Sequence, residues 1–431
     1  MKTFRLALLL APALAFAAEP PVPQFRAITL DDKIQIGYGL AIADVDGDGL
    51  PDILLADKKQ FVWYRNPGKA KAGDPAAWKK YLLAENLTEK DNVCIAAQDI
   101  DGDGKAEIAV GAEWNPGDTE KSGAVFYLQA PADRTQPWTP MKFPEVEPTT
   151  HRMRWVKVGP ASGEAGAPAP AGKAANQWGL LVVPLHGRGN KNGEGAPVKV
   201  LLYRPTPDFH APWPVETVSE QLHMTHNFSR LSVVGGASPD GILVGGKEGL
   251  ISYRRDSAQW EKTSPQIVGE QPAGIGEVRV GSLASGKQFL ATVEPMHGNM
   301  LAVYLPEAAS TGSVALTRHV LTDKLVEGHA LACGNLLGGL ANLTASDQIV
   351  VGWRGKIGQS GSPTGLAVWS PLDAQGTNWR ETIVDPDGMA CEDLQLADLD
   401  GDGKLDIIAS GRATKNVKIY FNVTPAPALG N

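Results

Sequence analysis

The sequence predicts an all-β fold: a seven-bladed β-propeller closed by an N-terminal strand that completes the last blade. Three observations carry this expectation. A unit of apolar run, acidic glycine-rich loop and second apolar run occurs three times in near copy, at residues 44–57 (DVDGDGLPDILLAD), 99–113 (DIDGDGKAEIAVGAE) and 398–412 (DLDGDGKLDIIASGR). An order of four short apolar runs recurs seven times, with degenerate copies filling the span between the second and third acidic loops. The seventh recurrence lacks its fourth run, and a run of the right pattern, Phe25 to Leu30, stands unattached before the first.

Composition agrees. The chain has 431 residues with 48 Gly, 32 Pro and 43% hydrophobic residues. That is too little Gly for collagen and too apolar for disorder, and it suits a turn-rich β protein. The net charge of -8 argues against nucleic acid as a partner. Cys94, Cys333 and Cys391 cannot make a disulfide framework and read as small buried apolar residues. Residues 1–18 read as a signal peptide. Lys2 and Arg5 precede an apolar stretch, Leu6 to Phe16, that is too short to span a bilayer, and Ala15-Phe16-Ala17 is a small-x-small cleavage signal. With no later apolar stretch of spanning length and no lipid-anchor Cys, the expected product is secreted or periplasmic, with no membrane span.

The elements follow in order. The first two runs of each unit flank the loop. The third ends in an aromatic residue: Tyr64, Tyr127, Tyr203, Tyr253, Tyr304, Trp369 and Tyr420. The fourth opens with Trp78, Trp138, Trp213, Trp260 or Trp379, read as packing between blades, and the fifth copy near 315–321 lacks a Trp. Four strands repeated seven times at roughly 50–70-residue spacing mark a propeller, whereas a β-helix repeats at far shorter intervals. The propeller is expected over residues 25–423. Residues 160–173 read as a flexible insertion in the third unit. Residues 187–195 read as a solvated loop or a lid over the central mouth, and His210 and His319 fall on outer strands.

The acidic loops place Asp44, Asp46, Asp48 and Asp52 at positions 1, 3, 5 and 9, as they do Asp99, Asp101, Asp103 and Glu107, and Asp398, Asp400, Asp402 and Asp406. Hard oxygen ligands at alternate positions, with Gly allowing the tight turn, suit Ca²⁺, up to three structural ions in all. Without a cation the crowded carboxylates would repel one another. Position 12 is Leu55, Val110 or Ala409 rather than the Glu an EF-hand needs. These loops and their flanking strands resemble FG-GAP/VCBS repeats, the calcium-bearing blades of integrin-like propellers. Units three to six lack the carboxylates, so no metal is expected in their loops.

Strand-one starts and strand-two ends meet at the face opposite the acidic loops. Aligned there are Tyr38, His151 with Arg152, His226, His329 and Glu392 on the first strands, and Lys58, Glu113, His186 with Arg188, Lys247, His297, Arg354 and Arg412 on the second. Five of the eight His fall on this rim, which points to a site rather than a merely hydrated channel. His186, His297 and His329 are read as ligands of Zn²⁺ or another divalent metal. His151, His226 and Tyr38 are candidate proton acceptors, with Arg354 and Arg412 orienting an anionic or keto group. Arg152, Lys58, Glu113, Arg188, Lys247 and Glu392 are candidate substrate contacts. No nucleophile elbow or His-Glu-x-x-His zinc-protease motif is present. The His-bearing pattern also resembles the propeller domain of aldos-2-ulose dehydratase, a metal-dependent sugar dehydratase, and propeller-type polysaccharide lyases. The cupin-like second part of that dehydratase has no counterpart in the sequence. The resemblance implies β-elimination from a carbohydrate. A non-catalytic carbohydrate- or protein-binding propeller and a metal-dependent hydrolase stand as the other readings.

Overall fold

The computed structural model describes residues 19–159, 178–206, 208, 211–231, 241–256, 259–307, 315–338 and 345–425. The signal-peptide reading, the 160–173 insertion and His210 lie outside these residues. Seven sheets, antiparallel apart from one short added strand, form the blades of a ring. Their inner strands, in order, are Gly39–Ala43, Cys94–Gln98, Thr150–Lys157, Thr225–Leu231, Glu277–Ser282, Gly328–Gly334 and Cys391–Ala397. Each inner strand packs on the next, and the seventh packs on the first. Among the described residues no helix is long and apolar enough to cross a membrane.

The second strand of each blade is covered on both faces by its neighbours, which is why Asp52–Ala56 (DILLA) and Glu107–Ala112 (EIAVGA) read as continuous apolar runs and are buried throughout. Outer strands such as Lys79–Glu85 meet solvent and carry the polar residues. Seven apolar clusters of described residues lie one at each blade interface. The fourth-strand tryptophans fill the interface with the preceding blade: Trp78 packs against blade seven, Trp138 against blade one and Trp213 against blade two. The three cysteines are free, Cys94 and Cys391 fully buried.

Phe25–Asp31 pairs antiparallel with Asn416–Asn422, from Phe25 opposite Asn422 to Asp31 opposite Val417, and so supplies blade seven with its fourth strand. Blade five carries one strand more than the pattern foretells. Gln266–Val268 pairs in parallel with Ala315–Thr322 and covers part of that blade's open edge.

The third-strand aromatics serve as latches between blades. Tyr64 of blade one donates to Asp31 of blade seven at 2.8 Å, and Tyr420 of blade seven donates to Asp385 of blade six at 2.6 Å. Tyr203 donates to the Glu145 carbonyl at 2.7 Å, and Tyr253 meets Ser219 of blade three. Burial pushes the Asp31 and Asp385 carboxyls up. For Asp31, hydrogen bonds from Lys80, the Lys33 N–H and Tyr64 more than offset this; for Asp385, those from Lys418, Tyr420 and the Gly388 N–H do so. Both carboxyls therefore sit below the usual carboxylate range.

Deleting residues 19–31 is expected to expose the Asn416–Asn422 edge and destabilise the ring by several kcal/mol, at roughly 1 kcal/mol net per backbone hydrogen bond lost. Urea titration checks this. Because the latch carboxyls are depressed in the folded chain, their contribution is present above the ordinary Asp range and is lost as pH falls through the folded values. Asp31→Asn and Asp385→Asn should each cost about 1 kcal/mol at neutral pH and flatten the acid limb of the stability curve below about pH 4.

Candidate active site at the central mouth

The inner strands reach the mouth with a built-in irregularity. In blade three the ladder shifts between Thr150 and Arg152, leaving His151 as the extra residue. The same shift falls at His226 and Asn227 in blade four, at His329 in blade six and at Glu392 in blade seven. A β-bulge breaks the two-residue alternation and re-aims a side chain. The inner strands of blades one and two pair without a bulge at their starts, and no His stands there. Blade five is also regular, and its imidazole comes instead from the turn after its second strand. There His297 holds a left-handed backbone at φ 52, a conformation non-glycine residues keep only when their surroundings enforce it.

These imidazoles meet. Ring centroids lie 4.5 Å apart for His226 and His297, 5.0 Å for His226 and His329, and 4.9 Å for His297 and His329. One ring nitrogen from each of the three falls within 4.8 Å of the others. His151 joins on the far side of His226, at 4.7 Å. The Nδ1 of His151 is 2.9 Å from the His226 carbonyl, that of His226 is 3.1 Å from the Gly276 carbonyl, and that of His329 is 2.6 Å from the Glu392 carbonyl. Each ring is thus held by the backbone of the following blade. A carbonyl only accepts, so each Nδ1 carries the proton and each Nε2 presents a lone pair. The Nε2 atoms of His226 and His297 are 2.7 Å apart. Either one carries a proton between them, or both lone pairs face a shared cation. Burial, followed by the charges of neighbouring arginines and imidazoles, holds His151, His297 and His329 well below the usual histidine value and lowers His226 as well. All four are neutral at neutral pH.

A cavity of about 440 Å³ opens over the cluster and is lined also by Tyr38, Arg152, Arg354, Glu392 and Arg412. The two rim arginines are engaged with one carboxylate. Arg354 grips both oxygens of Glu392 at 3.1 and 2.9 Å and reaches Glu327 at 3.1 Å, while Arg412 contacts Glu392 at 3.2 Å. Arg412 also lies over the Tyr38 ring at 5.3 Å. They are counter-ions of Glu392 as well as residues of the cavity wall, so an anionic or keto group at the mouth would share them with that carboxylate. Tyr38 donates to Asp91 at 3.1 Å, and burial pushes its phenol up; in that state it is a donor rather than a proton acceptor. Arg152 donates to the Tyr38 carbonyl at 3.3 Å and keeps Nε unpartnered.

Five predicted site residues stand outside this cavity. His186 is not brought to His297 and His329; His226 takes that place. The His186 N–H is tied to Thr149 Oγ1 at 2.8 Å and its backbone bridges Met224, which holds the ring apart from the cluster, with Nδ1 unpartnered. Arg188 turns outward to the Glu120 carbonyl at 2.7 Å, and Lys247 reaches the Asn192 carbonyl at 3.0 Å. Glu113 accepts from the Lys90 N–H, and the Lys58 carbonyl accepts from the Asn92 N–H. The 187–195 segment folds down on Asn190, whose amide donates to Ala196 and His223, and does not line the cavity. Missed by sequence reasoning were Glu277, 3.1 Å from His226 Nδ1, and Trp114, stacked on His151 at 5.0 Å. Glu277 opens a strand without the bulge that places His151, His226 and His329, so alignment of strand starts passes it over.

At the opposite ends of the inner strands the three acidic loops repeat one geometry. Asp44 accepts from the Gly47 and Gly49 N–H groups, both at 2.7 Å, which requires the left-handed backbone of those glycines, φ 81 and 84. Asp99 and Asp398 accept from their own loops likewise. Position 9 is buried and caps the loop start: Asp52 accepts from Val45, Glu107 from Ile100 and Asp406 from Leu399. Burial, opposed by these hydrogen bonds, pushes Asp52, Glu107 and Asp406 up to about 7. Oxygens of Asp44, Asp46 and Asp48 cluster within 4.8 Å, as do those of Asp99, Asp101 and Glu107, and of Asp398, Asp400 and Asp406.

No curated protein matches the chain. In fold it is similar to BBS1N, seen in complex with ARL6DN in crystals soaked with lead (14% identity, 96% of this chain and 99% of that one, TM-score 0.51) and with mercury (14%, 93% and 96%, 0.51). It is also similar to Sqt1 of Saccharomyces cerevisiae (11%, 95% and 100%, 0.49). At these identities the likeness concerns the fold alone. Residues 44–110 match the FG-GAP-like repeat and residues 95–128 the FG-GAP repeat. Residues 122–307 match the β-propeller domain of aldos-2-ulose dehydratase, a span that includes His151, His226 and His297. The chain is thus a β-propeller with segments similar to FG-GAP repeats and, over its central blades, to the β-propeller domain of aldos-2-ulose dehydratase.

Proposed function

We propose that the chain is a secreted or periplasmic carbohydrate-active enzyme, a sugar lyase or dehydratase that carries out metal-assisted β-elimination at the central mouth. The observation that supports this reading above the others is the convergence of the His226, His297 and His329 imidazoles, Nδ1 of two of them fixed by carbonyls and Nε2 turned to common space. That donor set fits Zn²⁺ or a similar divalent ion, and outer hydrogen bonds from Nδ1 are the usual support of such ligands. Bound there, the ion supplies Lewis acidity toward a carbonyl or carboxylate oxygen of the substrate.

The chain's own groups do the remainder. His151, neutral and held by Nδ1, accepts the α-proton at Nε2. The electron pair left behind forms the new double bond as the β-oxygen departs. The imidazolium of His151 returns its proton to that oxygen, so water or an alcohol leaves and the imidazole is regenerated. Tyr38 Oη, its O–H given to Asp91, accepts from a substrate hydroxyl, and Arg152 on the cavity wall donates to a substrate oxygen. Trp114 behind His151 holds the base in place.

A protein-binding propeller is the second reading, favoured by the fold likeness to BBS1N, which is seen with ARL6DN. A metal-dependent hydrolase at the same cluster is the third. We also propose structural Ca²⁺ in the loops at Asp44, Asp99 and Asp398, supported by their clustered oxygens and buried ninth positions.

Purified chain should carry one transition metal per molecule, beyond calcium, by elemental analysis. His297→Ala and His329→Ala should each lose it with little change in melting temperature. The His151→Gln variant should keep the metal and lose about 10²–10⁴-fold in turnover of a keto-sugar or uronic-acid polymer, followed by ultraviolet absorbance of the new double bond. Wild-type activity in the His297→Ala, His329→Ala double variant would defeat the reading, and metal without turnover on any such substrate would favour the binding propeller.

Chelating calcium should lower the melting temperature by several degrees through loss of native-state binding, and Asp46→Ala should lower it less while sparing activity in excess calcium. An unchanged melting curve on chelation would remove the calcium assignment.

A further inference from the structure

The wall of the mouth cavity differs from one side of the ring to the other. Blades six, seven and one supply Glu327, Arg354, Glu392, Arg412 and Tyr38, donors and acceptors suited to sugar hydroxyls. Ile357, exposed on the blade-six rim, is the apolar residue of that side. Blades two and three supply Val93, Trp114, Pro116 and Leu185, with His151 and Arg152 beside them. In a ring of seven the seam between blades two and three faces blade six, so the apolar and the charged walls stand across the mouth from each other.

The backbone fixes the apolar wall. Trp114 donates its N–H to the Asp91 carbonyl at 2.9 Å, Val93 to Gly111 at 2.9 Å and Leu185 to Thr149 at 2.8 Å. The Trp114 ring stacks on His151, with centroids 5.0 Å apart and planes inclined by 19°. Val93 and Leu185 are buried, and Pro116 is exposed on the rim. A hydroxyl pressed against this wall would give up water and gain no partner. Position matters as much as polarity. In the elimination at this mouth His151 takes the α-proton and returns it to the departing oxygen. The group carried by that oxygen therefore lies on the His151 side of the cavity, which is the side of Trp114, Pro116, Val93 and Leu185.

We propose, resting on the sugar-lyase reading of the mouth, that the substrate is a keto-sugar glycoside with an aromatic aglycone, which leaves as a phenol along the wall of blades two and three. The glycosidic oxygen is β to the sugar carbonyl. The α C–H bond breaks and its proton passes to His151 Nε2. The electron pair of that bond forms the double bond between the α and β carbons. The glycosidic C–O bond breaks with its electrons on oxygen, and that oxygen takes the proton back from His151. An unsaturated keto-sugar and a phenol leave, and no oxidant, reductant or co-substrate is consumed. The sugar ring keeps to the side of Tyr38, Glu392 and the two arginines, while the aglycone ring lies against Trp114 and Pro116. A second sugar as leaving group would set its hydroxyls against the apolar wall.

The test is calorimetric titration of the full chain with phenyl β-glucopyranoside, methyl β-glucopyranoside and cellobiose. The three share a glucosyl unit and differ in the group on the glycosidic oxygen. None has the carbonyl that elimination needs, so binding alone is read. The phenyl glucoside should bind about tenfold or more tightly than either of the others, from burial of its ring. Trp114→Ala should bring the ratio of phenyl to methyl affinity close to one, and Pro116→Ser should lower it by about threefold. A merely structural role for these residues would weaken both ligands alike and leave the ratio as it is. Pro116 is exposed, so its variant reports even if the Trp114 variant fails to fold. Equal affinity for the phenyl and methyl glucosides, tightest binding of cellobiose, or an unchanged ratio in the variants would overturn the inference and leave the carbohydrate reading of the mouth standing. Binding of none of the three would overturn both.

Discussion

Closure of the ring is the constraint on which everything else rests. A blade has two neighbours and is covered on both faces only while both are in place, so an open propeller would expose an apolar interface as well as a sheet edge. The pairing of Phe25–Asp31 with Asn416–Asn422 removes that possibility by joining the chain's ends through backbone hydrogen bonds. The tyrosine latches work in the same direction: Tyr64 crosses the closing seam to Asp31, and Tyr420 crosses the preceding one to Asp385. The mouth inherits this dependence. Since the His151, His226 and His329 rings are held by carbonyls of the following blade, their convergence belongs to the interfaces rather than to any single blade.

The two ends of the inner strands are divided between different blades. Acidic loops occur on blades seven, one and two, which are contiguous in the ring, while the imidazoles come from blades three to six. Blades three, four and six give up one or two ladder positions to aim a His inward, and blade seven does so for Glu392. Blade five keeps a regular ladder and accepts a left-handed His297 instead. Among the pairs of first and second strands, the register shifts all fall at the mouth end, at His151, His226 with Asn227, His329 and Glu392.

The blade count, the closing strand and the geometry of the acidic loops were legible because each depends on a period of tens of residues, which survives degeneracy of individual positions. The rim of histidines was legible from the same alignment. What failed was detail at the scale of one residue. His186 and His297 occupy like places after second strands, and only the backbone separates them: His186 is drawn to Thr149 and Met224, whereas the φ 52 turn lets His297 reach His226. Glu277 escaped notice for the converse reason, since its strand lacks the bulge that shifts its counterparts. The engagement of Arg354 and Arg412 with Glu392 joins blades six and seven, and no spacing along the chain encodes it.

That engagement also decides where proton chemistry can reside. With two guanidinium groups on one carboxylate, Glu392 is committed to ion pairs, and the arginines lose much of their freedom to bind substrate anions. Tyr38 is held protonated by burial. Glu277 is buried in the folded chain and held low, to about 2, mainly by Arg279 and His226 against its own burial. The groups left that can change protonation without breaking an ion pair are the imidazoles. Burial keeps these neutral, so they can accept a proton or a cation but do not carry one at rest. His226 is distinguished from the rest by the Glu277 carboxylate beside Nδ1, which raises its basicity against the burial that lowers it. It is the best electron donor of the set and the ring that touches both His297 and His329, whereas His151 lies to one side with its Nε2 outside the three-ring cluster. The division between three imidazoles that converge on a common point and a fourth set apart follows from the backbone of the ring, and a cation and a proton would sort between them accordingly.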